Sequence, residues 1–204
     1  MPADESTTVL AGLRWIKRHA DPTLSIRHSC FHASCGTCGV RVNGREGLAC
    51  VTRPAEGRTV QVEPMANLPI LADLVVDMEG FAARFPEPHP ILRASEFLDD
   101  AWTPTGLDGY ERFEDCIECG LCVSACPVAA TDNGYVGPAA LAYAQRMLEA
   151  GVGDRAELLA WADGPGGVWR CHAAFECTEA CPSNVRPAQR IMALRGELVR
   201  PSRS

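Results

Sequence analysis

The sequence predicts an α+β fold in two parts, a sheet-containing first half followed by an all-helical second half. Short alternating apolar stretches and the turn dipeptide Asn43-Gly44 fall before residue 68. Beyond Pro69 the apolar period changes to the i, i+3, i+4 spacing of helices. Eleven cysteines divide at the same place, with none between residues 51 and 115, so the domain junction is expected in that gap.

In chain order, Val9, Leu10, Leu13 and Ile16 recur at helical spacing after a cap candidate at Ser6-Thr7-Thr8, and Pro22 enforces a stop. Val40 and Val42 alternate up to Asn43-Gly44, which favours a tight hairpin turn, and Leu48 to Val51 is the expected returning strand. Thr59 to Glu63 alternates again, with Val60 and Val62 inward. From Pro69, the residues Ile70, Leu71, Leu74, Val75, Met78 and Phe81 mark the face of a predicted helix. Phe85 to Tyr110, rich in Pro, Gly and Asp, reads as an extended connector. Gly137-Pro138 opens a helix through Leu148 that Gly151 ends. Asp154 and Glu157 have capping-box spacing ahead of Leu158, Leu159 and Trp161, Gly164 to Gly167 is a break, and Pro187 opens a last helix with Ile191, Leu194 and Leu198.

Composition narrows the function. An apolar share of 47% with 22% charged residues supports a buried core. The net charge of −7, with Lys17 the single lysine, argues against nucleic-acid binding, which needs a basic face to neutralise phosphates. The polar, acidic start Met1–Thr8 does not resemble a signal peptide, and the longest apolar stretch, Leu68–Met78, is broken by Asp73 and Asp77, so no membrane span is expected. An odd number of cysteines in such a chain points to metal or redox chemistry rather than disulfides.

The first cysteine group, Cys30, Cys35, Cys38 and Cys50, reads C-x4-C-x2-C-x11-C, the plant-type spacing for a [2Fe-2S] cluster. Small Gly36 and Gly39 let the loop fold around two irons with its amides turned to the sulfurs; a four-thiolate zinc site is the alternative. The second group, Cys116, Cys119, Cys122 and Cys126-Pro127, reads C-x2-C-x2-C-x3-C-P, the bacterial ferredoxin run. In that run three cysteines hold one cubane and the fourth reaches to another cluster, so a partner run is required. The partner is Cys171 to Pro182, where the same spacing puts Ala174 at one ligand position. Crossing over gives Cys116, Cys119, Cys122 and Cys181 for a [4Fe-4S] cluster, and Cys126, Cys171 and Cys177 for a [3Fe-4S] cluster. A [4Fe-4S] cluster whose fourth iron takes water or another ligand is the alternative for the last site.

With these motifs, and with Asp21-Pro-Thr-Leu-Ser-Ile-Arg-His-Ser-Cys30, Val42-Asn-Gly-Arg45, Leu48-Ala-Cys50, Leu74-Val-Val-Asp-Met78, Gly137-Pro-Ala-Ala140 and Gly167-Val-Trp-Arg-Cys171, the chain resembles the iron-sulfur subunits of succinate dehydrogenase and fumarate reductase. The resemblance implies a β-grasp, plant-type ferredoxin domain over residues 1–74 and an α-helical ferredoxin domain over residues 75–204. It also implies an electron-transfer subunit without a substrate site, relaying single electrons between an FAD-containing flavoprotein and a quinone, menaquinone or ubiquinone, at a membrane anchor. The flavoprotein would dock near the [2Fe-2S] domain and the anchor near Cys126, Cys171 and Cys177. The implied location is peripheral, on the cytoplasmic side of the cell membrane, held through partner subunits.

Two places depart from the family pattern. Members carry a strand hairpin before the first helix, whereas this helix starts within ten residues of Met1, so the domain is expected to lack its first hairpin through a shortened or misassigned start. Ubiquinone-linked members tend to carry aromatic residues after the Cys-Pro, whereas Pro127 precedes Val128, Ala129, Ala130 and Thr131. Gly137-Pro-Ala-Ala140 and Gly167-Val-Trp169 look more like the fumarate-reductase-type, menaquinone-using members. His172 matches a histidine seen in some members near the quinone pocket; the bland reading is a surface histidine. His28 and His32 are expected to be polar loop residues, and Trp161 and Trp169 to pack the helical core. Two rival readings are the iron-sulfur subunit of a soluble, thiol-linked fumarate reductase, a type that tends to carry further cysteine-rich domains after the ferredoxin region, and a zinc-binding interaction module.

Overall fold

The computed structural model describes residues 7–54, 59–86 and 116–200. Helix α1 (Val9–His19) starts where the cap candidates place it: Thr8 is the N-cap, its Oγ1 accepting from the Ala11 amide at 3.2 Å. Two further free amides of the helix are used by the turn after the second strand, Val9 N–H donating to the Thr52 carbonyl and Leu10 N–H to the Ala49 carbonyl, both at 2.9 Å. The apolar stripe Val9, Leu10 and Leu13 is buried against the sheet, whereas Ile16 is largely exposed.

Strands β1 (Gly39–Val42), β2 (Arg45–Leu48) and β3 (Val62–Glu63) form an antiparallel sheet in the order β2-β1-β3. Asn43 and Gly44 make the two-residue turn with φ of 50° and 78°, the conformation Asn-Gly favours. The returning strand is Arg45–Leu48 rather than Leu48–Val51: the register pairs Val42 with Arg45 and Gly39 with Leu48, so the strand is complete at Leu48 and the chain turns through Cys50.

The helix predicted from Pro69 is instead a hairpin, β4 (Ile70–Ala72) and β5 (Val75–Val76), followed by the single turn α2 (Glu79–Ala82). Asp73 decides this. Its φ of 45° breaks a right-handed helix, and its carboxylate accepts from the Ser25 amide at 2.7 Å while Leu74 N–H donates to the Ser25 carbonyl at 3.3 Å. Ile70 and Leu71, assigned to a buried helical face, are 60% and 61% exposed. Most of the expected connector, residues 87–110, lies outside the described residues.

The second half is helical, with α3 (Leu121–Ser124), α4 (Pro138–Ala150), α5 (Arg155–Asp163), a 3-10 turn (Val168–Arg170), α6 (Glu176–Glu179) and α7 (Pro187–Val199). The predicted punctuation holds: Gly151 ends α4 in the left-handed conformation at φ 65°, and Asp154 caps α5 by accepting from the Glu157 amide at 2.9 Å. Helix α4, rich in alanine, packs against α7 through Leu141, Ala144, Ile191 and Leu194. Trp161 packs in this core as expected, but Trp169 is 50% exposed, with Arg195 over its ring at 5.5 Å.

The two halves pack together. Leu121 is buried among the sheet-side residues, with Ile117 and Cys119 against the same cluster. Asn67, at φ 61°, donates through Nδ2 to the carbonyls of Val123, Ser124 and Cys126 at 2.9 to 3.0 Å, satisfying the end of α3 from the sheet side. Ser124 Oγ accepts from the Ala66 amide at 2.9 Å and donates to Glu46 at 3.0 Å.

Candidate metal centres

The first loop is built to present amides to a sulfur. Phe31, Ala33 and Gly36 adopt φ of 64°, 61° and 70°, which curls residues 30–36 around Cys30. The amides of His32, Ser34 and Cys35 donate to Cys30 Sγ at 3.5, 3.3 and 3.4 Å. These bonds, the one from His32 foremost, bring the Cys30 thiol down to about 6. Cys35 Sγ and Thr37 Oγ1 lie 3.1 Å apart. Cys38 and Cys50 are buried neighbours, and burial pushes the Cys38 thiol up to about 11. The two are held by Ala49, whose amide donates to the Cys38 carbonyl at 3.0 Å. His28 and His32 are exposed, as expected of polar loop residues.

The second and third cysteine runs share one backbone design. Glu118 (φ 50°) and Gly120 (φ 78°) precede α3, and Ala173 (φ 54°) and Phe175 (φ 69°) precede α6. Val123 N–H donates to the Gly120 carbonyl at 3.0 Å, and Thr178 N–H to the Phe175 carbonyl at 2.9 Å. Cys119 and Ala174 therefore occupy equivalent positions, each between the two left-handed residues of its own loop. The two short helices pack against each other.

The sulfurs of the second and third runs lie in two groups. Burial, first of all, pushes Cys119 up to about 12, and Cys116 and Cys181 add like charge beside it. Cys122 is raised chiefly by burial, with Cys119, Cys116, Cys177 and Cys181 as charged neighbours. Burial lifts Cys177 to about 12, with Cys126 and Cys171 beside it, and raises Cys126, which has Cys171 as a neighbour. One pocket is lined by Cys116, Cys119, Cys122 and Cys181, and another by Cys126, Cys171 and Cys177. Cys122 also senses Cys177, so the two pockets adjoin.

This donor set fits iron-sulfur clusters. Cysteine sulfurs surround each pocket, and amides are directed at two of them: Ala173 N–H at Cys171 and Val185 N–H at Cys181, both at 3.4 Å. Among the described residues, no three His, Cys, Asp or Glu side chains are grouped so as to hold a single metal ion, and all eleven cysteines are free of disulfides. His172 is exposed, at the rim of the pocket lined by Cys126, Cys171 and Cys177.

Three contributors near the sites escaped the sequence reading. Tyr135 is buried beside Cys171, Cys126 and Cys177. Arg195, on α7, donates through Nε and Nη2 to the Val168 carbonyl at 3.1 and 2.7 Å and through Nη2 to the Cys171 carbonyl, fixing the loop that carries Cys171. Asn67 holds the Cys126 carbonyl. None belongs to a cysteine motif, and only their neighbours in space reveal them.

A sheet domain with a plant-type cysteine loop, packed on a helical domain with two crossed cysteine runs, defines an iron-sulfur protein of ferredoxin type. Residues 1–83 match the 2Fe-2S iron-sulfur cluster binding domain and residues 112–185 the 4Fe-4S dicluster domain. The fumarate reductase iron-sulfur subunit of Mycobacterium tuberculosis is 43% identical over 202 residues, spanning 94% of this chain and 81% of that relative. The succinate dehydrogenase iron-sulfur subunit of Paracoccus denitrificans is 31% identical over 201 residues, spanning 94% of this chain and 76% of the relative. The chain belongs to the family of succinate dehydrogenase and fumarate reductase iron-sulfur subunits. A chain of the Mycobacterium smegmatis Sdh1 complex in the apo form shares the fold, with a TM-score of 0.76 at 22% identity over 96% of this chain and 86% of that one.

Proposed function

We propose that the chain is the electron-transfer subunit of a succinate:quinone oxidoreductase or quinol:fumarate reductase, passing single electrons between a flavoprotein subunit and a quinone. Cys30, Cys35, Cys38 and Cys50 hold a [2Fe-2S] cluster, Cys116, Cys119, Cys122 and Cys181 a [4Fe-4S] cluster, and Cys126, Cys171 and Cys177 a [3Fe-4S] cluster. The observation that carries this reading is the gathering of Cys181 with the second run and Cys126 with the third, while Ala174 stands where the third site would need a fourth thiolate.

When bound, such clusters supply one-electron steps at potentials that protein ligation, hydrogen bonding and burial set within roughly −700 to +450 mV. The chain supplies the rest. Its buried thiols give up their protons on loading and keep water from the sulfurs. The amides of His32, Ser34 and Cys35 stabilise charge on Cys30. The loops that carry the first and second sites abut at Gly36 and Cys119.

In this reading the flavoprotein docks on the first domain and the membrane anchor beside Cys126, Cys171 and Cys177, where exposed His172 contacts the quinone. None of the described helices is long and apolar enough to cross a membrane; in this reading an anchor subunit holds the chain on the cytoplasmic side. In this reading the chain divides into residues 1–74 and 75–204.

Paramagnetic resonance on the anaerobically purified full chain tests the reading. A [3Fe-4S] signal on oxidation and a [2Fe-2S] signal on reduction are expected. Colourless protein loaded with zinc from iron-replete cells overturns it. Co-purification with a flavoprotein, and succinate oxidation or fumarate reduction by the pair, tests the assignment to this enzyme class.

A further inference from the structure

We propose that Tyr135 is a potential-setting residue for the third centre, its phenolic O–H donating a hydrogen bond to Cys171 Sγ. The proposal rests on the reading that Cys126, Cys171 and Cys177 hold a cluster. Tyr135 is 1% exposed and lines the pocket with those three cysteines. Burial first, and then the neighbouring Cys171, Cys126 and Cys177, hold the proton on its phenol, so the hydroxyl meets these sulfurs as a donor.

The placement is fixed from several sides. The Tyr135 amide donates to the Asp132 carbonyl at 3.2 Å, and the next amide, of Val136, donates to the Gly166 carbonyl at 3.0 Å. Leu141, Ile191 and Val168 share its core cluster. Cys171 is fixed as well, by Arg195 on its carbonyl and by the Ala173 amide on its sulfur at 3.4 Å. Donor and acceptor are thus both held on rigid backbone, and a buried phenol so placed is a preorganised donor rather than filler.

One-electron reduction adds negative charge to the sulfurs of the site. A neutral donor aimed at one of them favours the reduced state, and the phenol keeps its proton throughout. The electron arrives from, and departs to, the centres on either side in the proposed relay. Removing the O–H while keeping the ring therefore lowers the midpoint potential of this centre and leaves the other two unchanged. A lost hydrogen bond to a charged group shifts the reduced-to-oxidised ratio at fixed potential by about tenfold, which for a one-electron couple is about 59 mV.

The test is a paramagnetic redox titration of the iron-loaded full chain, with its partner subunits, as wild type and Tyr135→Phe. The expected result is a lower potential for the third centre alone, with loss of an exchangeable-proton coupling seen in the wild type. An unmoved potential and an intact proton coupling overturn the proposal. If the Phe variant fails to retain the third centre, fluorinated tyrosines placed at position 135 carry the test: the potential rises with phenol acidity if the bond acts, and a flat series overturns it. Absence of a third-centre signal in the wild type overturns the cluster reading itself, which is a different outcome.

Discussion

Gly36 lies against Cys119: a Cβ on Gly36 would stand 2.9 Å from Cys119 Cβ and 2.7 Å from the Ile117 carbonyl oxygen. The glycine is buried and holds a φ of 70°. Two constraints thus coincide at one residue, a left-handed backbone inside the first cysteine loop and contact between that loop and the second.

Gly36→Ala is expected to destabilise the iron-loaded chain by about 2 kcal/mol or more, since strain at positive φ adds to backbone overlap that no flexible side chain can relieve. Gly12→Ala is the contrasting case: it lies inside α1 with nothing within 4 Å of an added Cβ, and the change should stabilise by about 1 kcal/mol. Thermal melts of the two variants check the opposite signs.

Asn67→Ala leaves the carbonyls of Val123, Ser124 and Cys126 without their shared donor. A cost of about 1 to 3 kcal/mol is expected, and the damage should concentrate at Cys126. Denaturant unfolding gives the energy, and the rate of iron loss from the third centre, compared with the first, locates it.

Ala174→Cys supplies a thiol where the backbone already matches that of Cys119. Conversion of the third centre to a four-thiolate [4Fe-4S] cluster is expected, read as loss of the oxidised-state [3Fe-4S] signal and a gain of iron. An unchanged oxidised signal with unchanged iron content counts against the equivalence of the two loops.

The chain stripped of iron should lose stability as alkali is added. Cys38, Cys119 and Cys177 are raised from the usual thiol value of 9.0 to about 11, 12 and 12 by burial. Because their folded values are raised, the stability tied to their protonated form is fully present below pH 9 and is lost as the pH rises through 11 to 12. Cys30, lowered to about 6, works in the opposite sense, contributing above pH 9 and losing its contribution as the pH falls toward 6. Melting temperatures from pH 6 to 11 should fall on the alkaline side, and a flat profile there would contradict the burial of these thiols.

Arg195→Met keeps apolar bulk on α7 and removes the donors that hold the Val168 and Cys171 carbonyls. Faster loss of the third centre than of the second is expected, measured by paramagnetic signals during incubation with a chelator. Equal rates would mean that the Cys171 loop holds its shape without the guanidinium.

Local rules in the sequence were enough for the elements whose ends carry their own chemistry. Thr8, Asn43-Gly44, Gly151 and Asp154 act through one side chain or one φ angle, and each does what its type requires. The stretch from Pro69 defeated the same rules because Ile70, Leu74 and Val75 fit a helical period and a hairpin equally well. A contact with Ser25, far away in sequence, selected the hairpin through Asp73.

For the sites, the cysteine spacings by themselves separate three groups and put Ala174 where the second run has Cys119, because ligand spacing is a property of the chain. Tertiary structure alone decided what surrounds the sulfurs: Gly36 against Cys119, Asn67 on the Cys126 carbonyl, Arg195 on the Cys171 carbonyl, and Tyr135 in the pocket with Cys126, Cys171 and Cys177. Those partners belong to no motif. They come from other elements, brought in by burial of α4, α7 and the sheet face, and hydrogen bonding and desolvation depend on distance in space rather than on position in sequence.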